Sequence, residues 1–524
     1  MTMPRRALSS AVRCVLVGAG IAASTAVVWT QGLGYGGRPF DPYFLRFGRP
    51  APPAAGIAVR AGRMFDAKAG TMLQNQVILI KGEIITDVGP ADRIQIPAGA
   101  QVIDLSNASV LPGLIDHHLH LMNTVGGLSD PNDAGFVVRG MGLAMQNLMG
   151  GYTTVVDMGQ DTWALIEMRN GINRGWIPGP RIQMAGPALN PRANSGYTAP
   201  SNYVPFNLGP ANGVPAGKGS FQNGLLVGPW AAREMVREHA WYGTDWIKVY
   251  MTEDFEAGGD IAGGNSGAWF RDGRMINVPS LTKEELAAVV DEAHARGLKV
   301  ASHVYGGKGL RYVLETGVDL PMHPITSVND TIGPDAETLR LWKQPLPDGR
   351  ARPVMHTIWD LADRKQGCDW TKYEQTCAGQ GMDTSDTRRT GGETSRLKAT
   401  ELAFKSFHSA GIKQVFGSGM HTGAESTPPG DQSMQFVFYV KWGMTPVEAL
   451  QTATVNAAAY LNNEWDLKVG TLEKGKFADL VAVAGNPLQD ISEMLRIKFV
   501  MKGGSVFRDE LPKAPARPAA AGAQ

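Results

Sequence analysis

Five side chains stand where chemistry is easiest to build. His118 and His120 lie two residues apart at the close of an apolar, strand-like run, LPGLIDHHLH. Side chains alternate along a strand, so these two point to one side and His117, between them, to the other. Two imidazoles converging in this way either hold one divalent cation or are satisfied by hydrogen bonds. Lys248 sits inside WIKVYM. A lysine in an apolar strand must snorkel to solvent, find a partner, or lose its charge. His303 ends VASH and His323 ends VDLPMH. Each of these alone suits a core or loop histidine as well. Four histidines and a lysine at successive strand ends together point to a metal site.

The elements that must position them are legible in outline. TTVVDMG and WIKVYM read as strands. LTKEELAAVVDEAHARG reads as an amphipathic helix, opened by Thr282 with Glu285 in capping-box spacing and ended by Gly297. LKVASHVYG follows as a strand, GLRYVLETG as a helix and VDLPMH as a strand. This order predicts a parallel sheet with helical crossovers. Over residues 111–464 a closed eight-stranded (β/α)8 barrel fits best, with a doubly wound sheet as the alternative. In such barrels catalytic groups gather at the C-terminal ends of the strands. β-rich stretches at 56–110 and 465–510 flank the barrel, and a small composite β-sandwich domain built from both ends explains them. Residues 329–395 break the rhythm and read as loops around one strand, ARPVMHTIWDL, whose His356 is a candidate for lining the pocket. His239 and His294 fall in helical patterns, as surface or packing residues.

Composition narrows the function classes. The chain has 524 residues, too many for one ordinary domain, and a formal net charge of +1. No block of like charges is present, so neither a nucleic-acid partner nor a basic membrane-binding surface is expected. No glycine-rich dinucleotide fingerprint follows an early strand, which argues against a nicotinamide-dependent oxidoreductase. Arg5, Arg6 and Arg13 precede an apolar run from Cys14 to Trp29, and no acidic residue appears before Asp41. Residues 1–30 therefore read as a signal peptide or signal anchor, followed by a Gly- and Pro-rich linker at 31–55. The run is shorter than the ~20 residues a span requires, which favours the cleaved signal. The expected location is outside the cytoplasm, periplasmic or extracellular, where Cys368 and Cys377 can form a disulfide. A membrane anchor at the N-terminus and a homo-oligomer are left open by the sequence.

LPGLIDHHLHL resembles the PGLIDxHxH signature of the amidohydrolase superfamily. The resemblance runs from about Ile57 to Val506 through GTDWIKVYM, EELAAVVDEAHARGLKVASHVYG, MTPVEALQTATVNAAAYL and VGTLEKGKFADLVAV. These stretches are typical of the branch resembling imidazolonepropionases and metal-dependent prolidases. The resemblance implies a (β/α)8 barrel with a composite β-sandwich, holding one or two divalent metals, Zn2+ first among them. It implies that His118, His120, His303 and His323 are ligands and that Lys248 is carboxylated and bridges two metals. Carboxylation would turn a poorly tolerated ammonium into an anionic ligand. The implied reaction is attack of an activated water on an amide or other C–N bond of a short peptide, cyclic amide or other small molecule. Two departures stand out. The family's aspartate after the eighth strand corresponds to Gly419 in VFGSGMHTG. That aspartate takes the proton of the attacking water, so His421, Glu425 or Asp431 would have to substitute, His421 being the nearest in sequence. His323 stands in MHP where the family often has Glu-His-Gly, which bears on what orients its imidazole.

Overall fold

The computed structural model describes residues 53–122, 133–159, 163–189, 226–252, 270–271, 274–275, 279–358, 396–421 and 429–512. The expected signal segment 1–30, nearly all of the linker 31–55, Cys368, Cys377 and Glu425 lie outside the described residues.

The first β-rich stretch gives four strands, β1 (Ile57–Asp66), β2 (Thr71–Lys81), β3 (Ile84–Pro90) and β4 (Gln101–Pro112). Then strands and helices alternate. β5 (Leu114–His120), α1 (Asp133–Met149), β6 (Tyr152–Asp157), α2 (Leu165–Asn173), β7 (Arg181–Met184), α3 (Gly228–Trp241) and β8 (Trp246–Tyr250) come first. A short antiparallel pair follows, β9 (Phe270–Arg271) with β10 (Arg274–Met275). α4 (Lys283–Ala295), β11 (Lys299–His303), α5 (Gly307–Thr316), β12 (Leu320–Met322) and α6 (Ala336–Trp342) continue the series. α7 (Arg396–Ser409), β13 (Met420–His421), α8 (Met434–Lys441), α9 (Pro446–Thr452) and α10 (Val455–Tyr460) complete it. The chain ends on β14 (Leu480–Val483), β15 (Phe499–Lys502) and β16 (Ser505–Asp509).

Local chemistry accounts for several of these boundaries. The Thr282 hydroxyl accepts from the Glu285 amide and the Glu285 carboxylate accepts from the Thr282 amide, so the expected capping box forms. α6 lies where the polar composition suggested only loops: Asp335 caps it by accepting from the Thr338 amide, and Leu341 and Trp342 are buried.

The strands from the two ends of the chain share one seven-stranded sheet, in the order β16-β15-β14-β4-β1-β2-β3. Its β1–β4 pairing is parallel and the others are antiparallel. An Arg181–Asp479 pair links this sheet to the central strands, with bonds of 2.9 and 3.1 Å from Nε and Nη2 to the two carboxylate oxygens. The guanidinium also lies 3.5 Å from the centre of the Phe477 ring.

The parallel strands divide into a sheet of order β13-β5-β6-β7 and another of order β12-β11-β8. Single parallel bridges run between them: Leu189 with Val249, Met322 with Met355, and Val354 with Gln414. The enclosed core draws on every strand position in turn, with Ile115, Val156, Ala185, Trp246, Ala301, Met322, Met355 and Val415 in one cluster. The arrangement is barrel-like, but the expected continuous, closed eight-stranded sheet is not formed by the described residues. The seventh position contributes only isolated bridges, and Pro353 has no N–H to give a ladder there; the eighth adds a bridge at Gln414 and the two-residue β13. No helix of the described residues is long and apolar enough to cross a membrane.

Candidate functional site

The ends of β5, β8, β11 and β12 bring all five expected side chains into one buried group. Lys248 is fully buried, and His118, His120, His303 and His323 are each at most 8% exposed. The Nε2 atoms of His118 and His120 lie 3.1 Å apart. The His118 and His323 rings stack at 5.3 Å, and His303 meets His323 edge-on at 4.5 Å. Tyr250 joins the lysine to the cluster, its ring 4.7 Å from that of His303 and 5.0 Å from the Lys248 Nζ. Tyr305 lies edge-on to His303 at 4.6 Å. Both tyrosines follow a site residue by two positions, and the period-two rule places them on its side. The period-two spacing that places them is present in the sequence itself.

The histidine run is not a regular strand. The register of β5 against β6 shifts between Asp116 and Leu119. Such irregularities re-aim side chains next to active sites. His117 turns away onto the edge of Trp246, with its Nε2 2.7 Å from the Ala457 carbonyl oxygen. Burial pushes this imidazole down to about 3. The Asp116 carboxyl is pushed up to about 7 by burial, against hydrogen bonds that favour the carboxylate. Its Oδ1 accepts from the amides of both His118 and Ser418, at 3.0 Å each. Asp116 thus ties the histidine-bearing strand β5 to the turn at 417–419.

That turn carries the departure at Gly419. Gly419 has φ +71, and its N–H donates to the His118 carbonyl at 2.6 Å. It presents no side chain to the site. Gly417 packs against His118 so closely that a Cβ there would lie 2.8 Å from the His118 Cβ and 2.2 Å from the Met355 Sδ. His323 is one of few non-glycine residues at positive φ, +43, and its N–H donates to the Met355 carbonyl at 2.6 Å. Backbone strain of this kind costs roughly 1–3 kcal/mol and clusters at functional sites.

Outside the rings lies a second layer that the sequence did not announce. The His118 Nδ1 is 3.2 Å from the Thr357 Oγ1. The His120 Nδ1 is 2.6 Å from the Gly159 carbonyl oxygen. Gln435, from α8, accepts from the Ile358 amide at 2.6 Å and donates to the Gly417 carbonyl at 3.2 Å.

The remaining candidates fall apart from this group or beyond what is described. The backbone of His421 pairs with that of His120 in the β13–β5 ladder, while its side chain lies outside the described residues. Asp431 opens a short 3-10 turn, Asp431–Ser433. His239 is fully buried against the Pro187 and Met235 carbonyls, and His294 bonds Asp319 at 2.8 Å.

His356 faces away from the cluster, onto Phe404 and Phe407 of α7, so it does not line the pocket. Its Nδ1 is 3.0 Å from the Gln414 Oε1. Burial pushes its pKa down from 6.5 to about 4. The folded value lies below the unfolded one, so the neutral imidazole stabilises fully above pH 6.5 and this contribution is lost as pH falls through 4. Between pH 7 and pH 4 the metal-free parent should lose about 3 kcal/mol relative to His356→Leu. Urea unfolding at both pH values checks this, and an unchanged gap between the two proteins refutes it.

Among the described residues, no three His, Cys, Asp or Glu side chains stand in a geometry ready to hold a metal ion. The donor chemistry nevertheless fits a cation. Two imidazole nitrogens on one tetrahedral zinc lie roughly 3.3 Å apart, from Zn–N bonds of about 2.0–2.1 Å. The observed 3.1 Å is close to that spacing.

Comparison with known proteins gives a consistent result. A family model described as the Amidohydrolase family matches residues 109–330 and 390–507. An ochratoxinase from Aspergillus niger is 28% identical over 459 residues, covering 84% of each chain. The crystal structure of a Xaa-Pro dipeptidase with methionine bound in its active site superposes with a TM-score of 0.66 at 25% identity, covering 86% of this chain and 99% of that one. A molinate hydrolase superposes with a TM-score of 0.67 at 21% identity, over 90% of this chain and 99% of its own. These neighbours show a TIM-barrel-like fold.

Proposed function

Because the chain belongs to the amidohydrolase family, and is on that ground a hydrolase of carbon–nitrogen bonds, we propose that it cleaves the amide bond of a short peptide, cyclic amide or similar small molecule at a metal centre held by His118, His120, Lys248, His303 and His323. The family is generally metal-dependent, and zinc is the cation we assign. The observation that carries this reading is the convergence of four imidazoles and one lysine stem, all buried, at the ends of β5, β8, β11 and β12. In this reading Lys248 is carboxylated, which gives a bridging anion and removes the cost of a buried ammonium. A divalent cation in such a site supplies Lewis acidity, lowering the pKa of a bound water and polarising a carbonyl.

The protein's own residues do the rest. The imidazoles keep the site dry and oriented, with Asp116 fixing the backbone beneath them. Gly419 cannot take a proton, so another group must. We assign this to His421, whose backbone is in register with that of His120. We further read the parallel strands as one (β/α)8 barrel, 111–464, with a composite domain from 56–110 and 465–510. An N-terminal signal, 1–30, would place the protein in the periplasm or outside the cell.

One observation favours a second reading, in which the site binds substrate but turns it over poorly: Gly419 itself, where general-base catalysis worth roughly 10²–10⁴-fold would be missing. The two separate in one assay. The parent and Gly419→Asp are purified with metal content measured and tested on a panel of dipeptides and N-acyl amides. Aspartate tolerates positive φ better than most residues, so this variant should fold. Turnover by the metal-loaded parent, with no gain in Gly419→Asp, is expected. An inert parent and an active Gly419→Asp would favour the second reading.

A further inference from the structure

α3 has two opposite faces of different character. Ala232, Met235, Val236 and His239 are buried, at the spacing of a helix face turned to the core. Trp230, Glu234, Arg237 and Trp241 are exposed. At 3.6 residues per turn these four share one side of the helix, opposite the buried one. The two indoles are 81% and 87% exposed, the highest values among the large apolar side chains of the described residues. Exposed apolar residues scattered singly are ordinary on a monomer, but two indoles on one outward stripe are not scattered. The stripe steps by four, three and four residues. That is the spacing of a heptad seam, along which a second helix packs at about 20°.

The order of residues along the stripe selects the second helix. A two-fold axis passing between Met235 and Val236 lays an antiparallel copy of α3 on the first. Trp230 then meets the partner's Trp241, and Glu234 meets the partner's Arg237, each pair occurring twice by symmetry. The stripe is complementary to itself in apolar ends and in charged centre, as an isologous contact requires. A parallel copy in register would instead set Glu234 on Glu234 and Arg237 on Arg237, with like charges opposed.

Arg237 is already held for such a contact. Its Nε and Nη2 donate to the Glu292 carboxylate of α4 at 2.8 and 3.3 Å, and half of its side chain stays exposed. A guanidinium fixed in this way loses little further freedom when a carboxylate docks on its outer edge. Four indoles of about 200 Å² each, with the charged pairs between them, bury on the order of 1,000 Å² in all. An area of this size suits a reversible dimer rather than an obligate one.

We propose that α3 is the two-fold contact of a homodimer, an antiparallel helix pair closed by Trp230 and Trp241 at its ends and by two Glu234–Arg237 pairs at its centre. Sedimentation equilibrium of the purified full-length protein over a range of concentrations should show the parent passing from monomer to dimer. Trp230→Ala should weaken association at least about 30-fold, as removal of an aromatic anchor does. Glu234→Arg and Arg237→Glu should each weaken it at least about 10-fold, because each opposes like charges twice. Mixed in equal amounts, these two variants should associate with near-parent affinity, since one chain then brings two positive charges to the stripe and the other two negative. Trp230→Ala and Glu234→Arg alter only exposed side chains, so they test the face even if Arg237→Glu, which loses its bonds to Glu292, fails to fold. A parent that stays monomeric at every concentration overturns the proposal. Co-sedimentation of that monomer with phosphatidylglycerol vesicles, lost in Trp230→Ala, would assign the face to a membrane surface instead. A dimer indifferent to Trp230→Ala and Glu234→Arg overturns it too, by placing the contact elsewhere. Two folded charge variants that do not associate on mixing overturn the antiparallel two-fold.

Discussion

His118→Ala should leave a folded protein that no longer retains metal and whose kcat/KM has fallen by at least about 10³. The size of the effect follows from how many contacts this one ring makes. It meets His120 at 3.1 Å, stacks on His323 at 5.3 Å and reaches Thr357 at 3.2 Å. In the proposed centre its loss removes one of the assigned ligands and the packing of two others, His120 and His323. The fold should tolerate the change because the structural work at this position is done by the main chain. The His118 amide donates to Asp116, and its carbonyl accepts from Gly419 and from the Ser418 hydroxyl. None of these bonds needs the imidazole. Elemental analysis, circular dichroism and steady-state kinetics on one preparation measure the three parts of the prediction. Parent-like metal content and turnover in a folded His118→Ala protein would remove His118 from the site.

The second large effect separates stability from activity. Lys248→Met should lower kcat/KM by at least about 10² while raising the unfolding free energy of the metal-free protein, by on the order of 1 kcal/mol. The lysine is fully buried in a strand whose five residues, Trp246–Tyr250, are all buried. Its carbon stem belongs in such a place and its ammonium does not. Methionine keeps most of the volume and needs no compensating charge. Function runs the other way, because the site loses the lysine to which we assign the carboxylated bridge. Thermal unfolding of the metal-free forms and kinetics of the zinc-loaded forms give the two readings. A Met variant that is both less stable and fully active would show that Lys248 is a packing residue.

What the sequence made legible was whatever depended on short-range pattern. α4 could be read to its ends, because Thr282, Glu285 and Gly297 act within a few residues of one another. The candidate site positions could be read because each lies within or at the end of a strand-like run with a recognisable period. The strand read at ARPVMHTIWDL could be located but not bounded, since it survives as single bridges at Val354 and Met355. α6 could not be read, because its capping aspartate sits in a polar stretch that resembles a loop. The layer behind the clustered histidines was out of reach for a different reason. His118 and Thr357 are 239 positions apart, and no local spacing joins them. Gly159 contributes a carbonyl that any residue type would also carry. The irregular register at Asp116 and Leu119 was likewise invisible, because alternation was read as if the strand were regular.

The seven-stranded sheet sets a timetable for making the protein. β4 pairs on one side with β1 and on the other with β14, and the Ser109–Gly485 bond across that join spans 376 positions. β5 waits in the same way for β13. A chain delivered N-terminus first therefore carries an unsatisfied β4 edge, with Val110 and Leu111 beside it, through most of its synthesis. Such edges recruit other strands, and pairings this distant in sequence form slowly. The histidine pair at the end of β5 is among the first parts of the site to be made and among the last to be enclosed. Until residues near 420 arrive, it is a pair of open imidazoles on an incomplete sheet, and the late C-terminal strands are what bring assembly to a close.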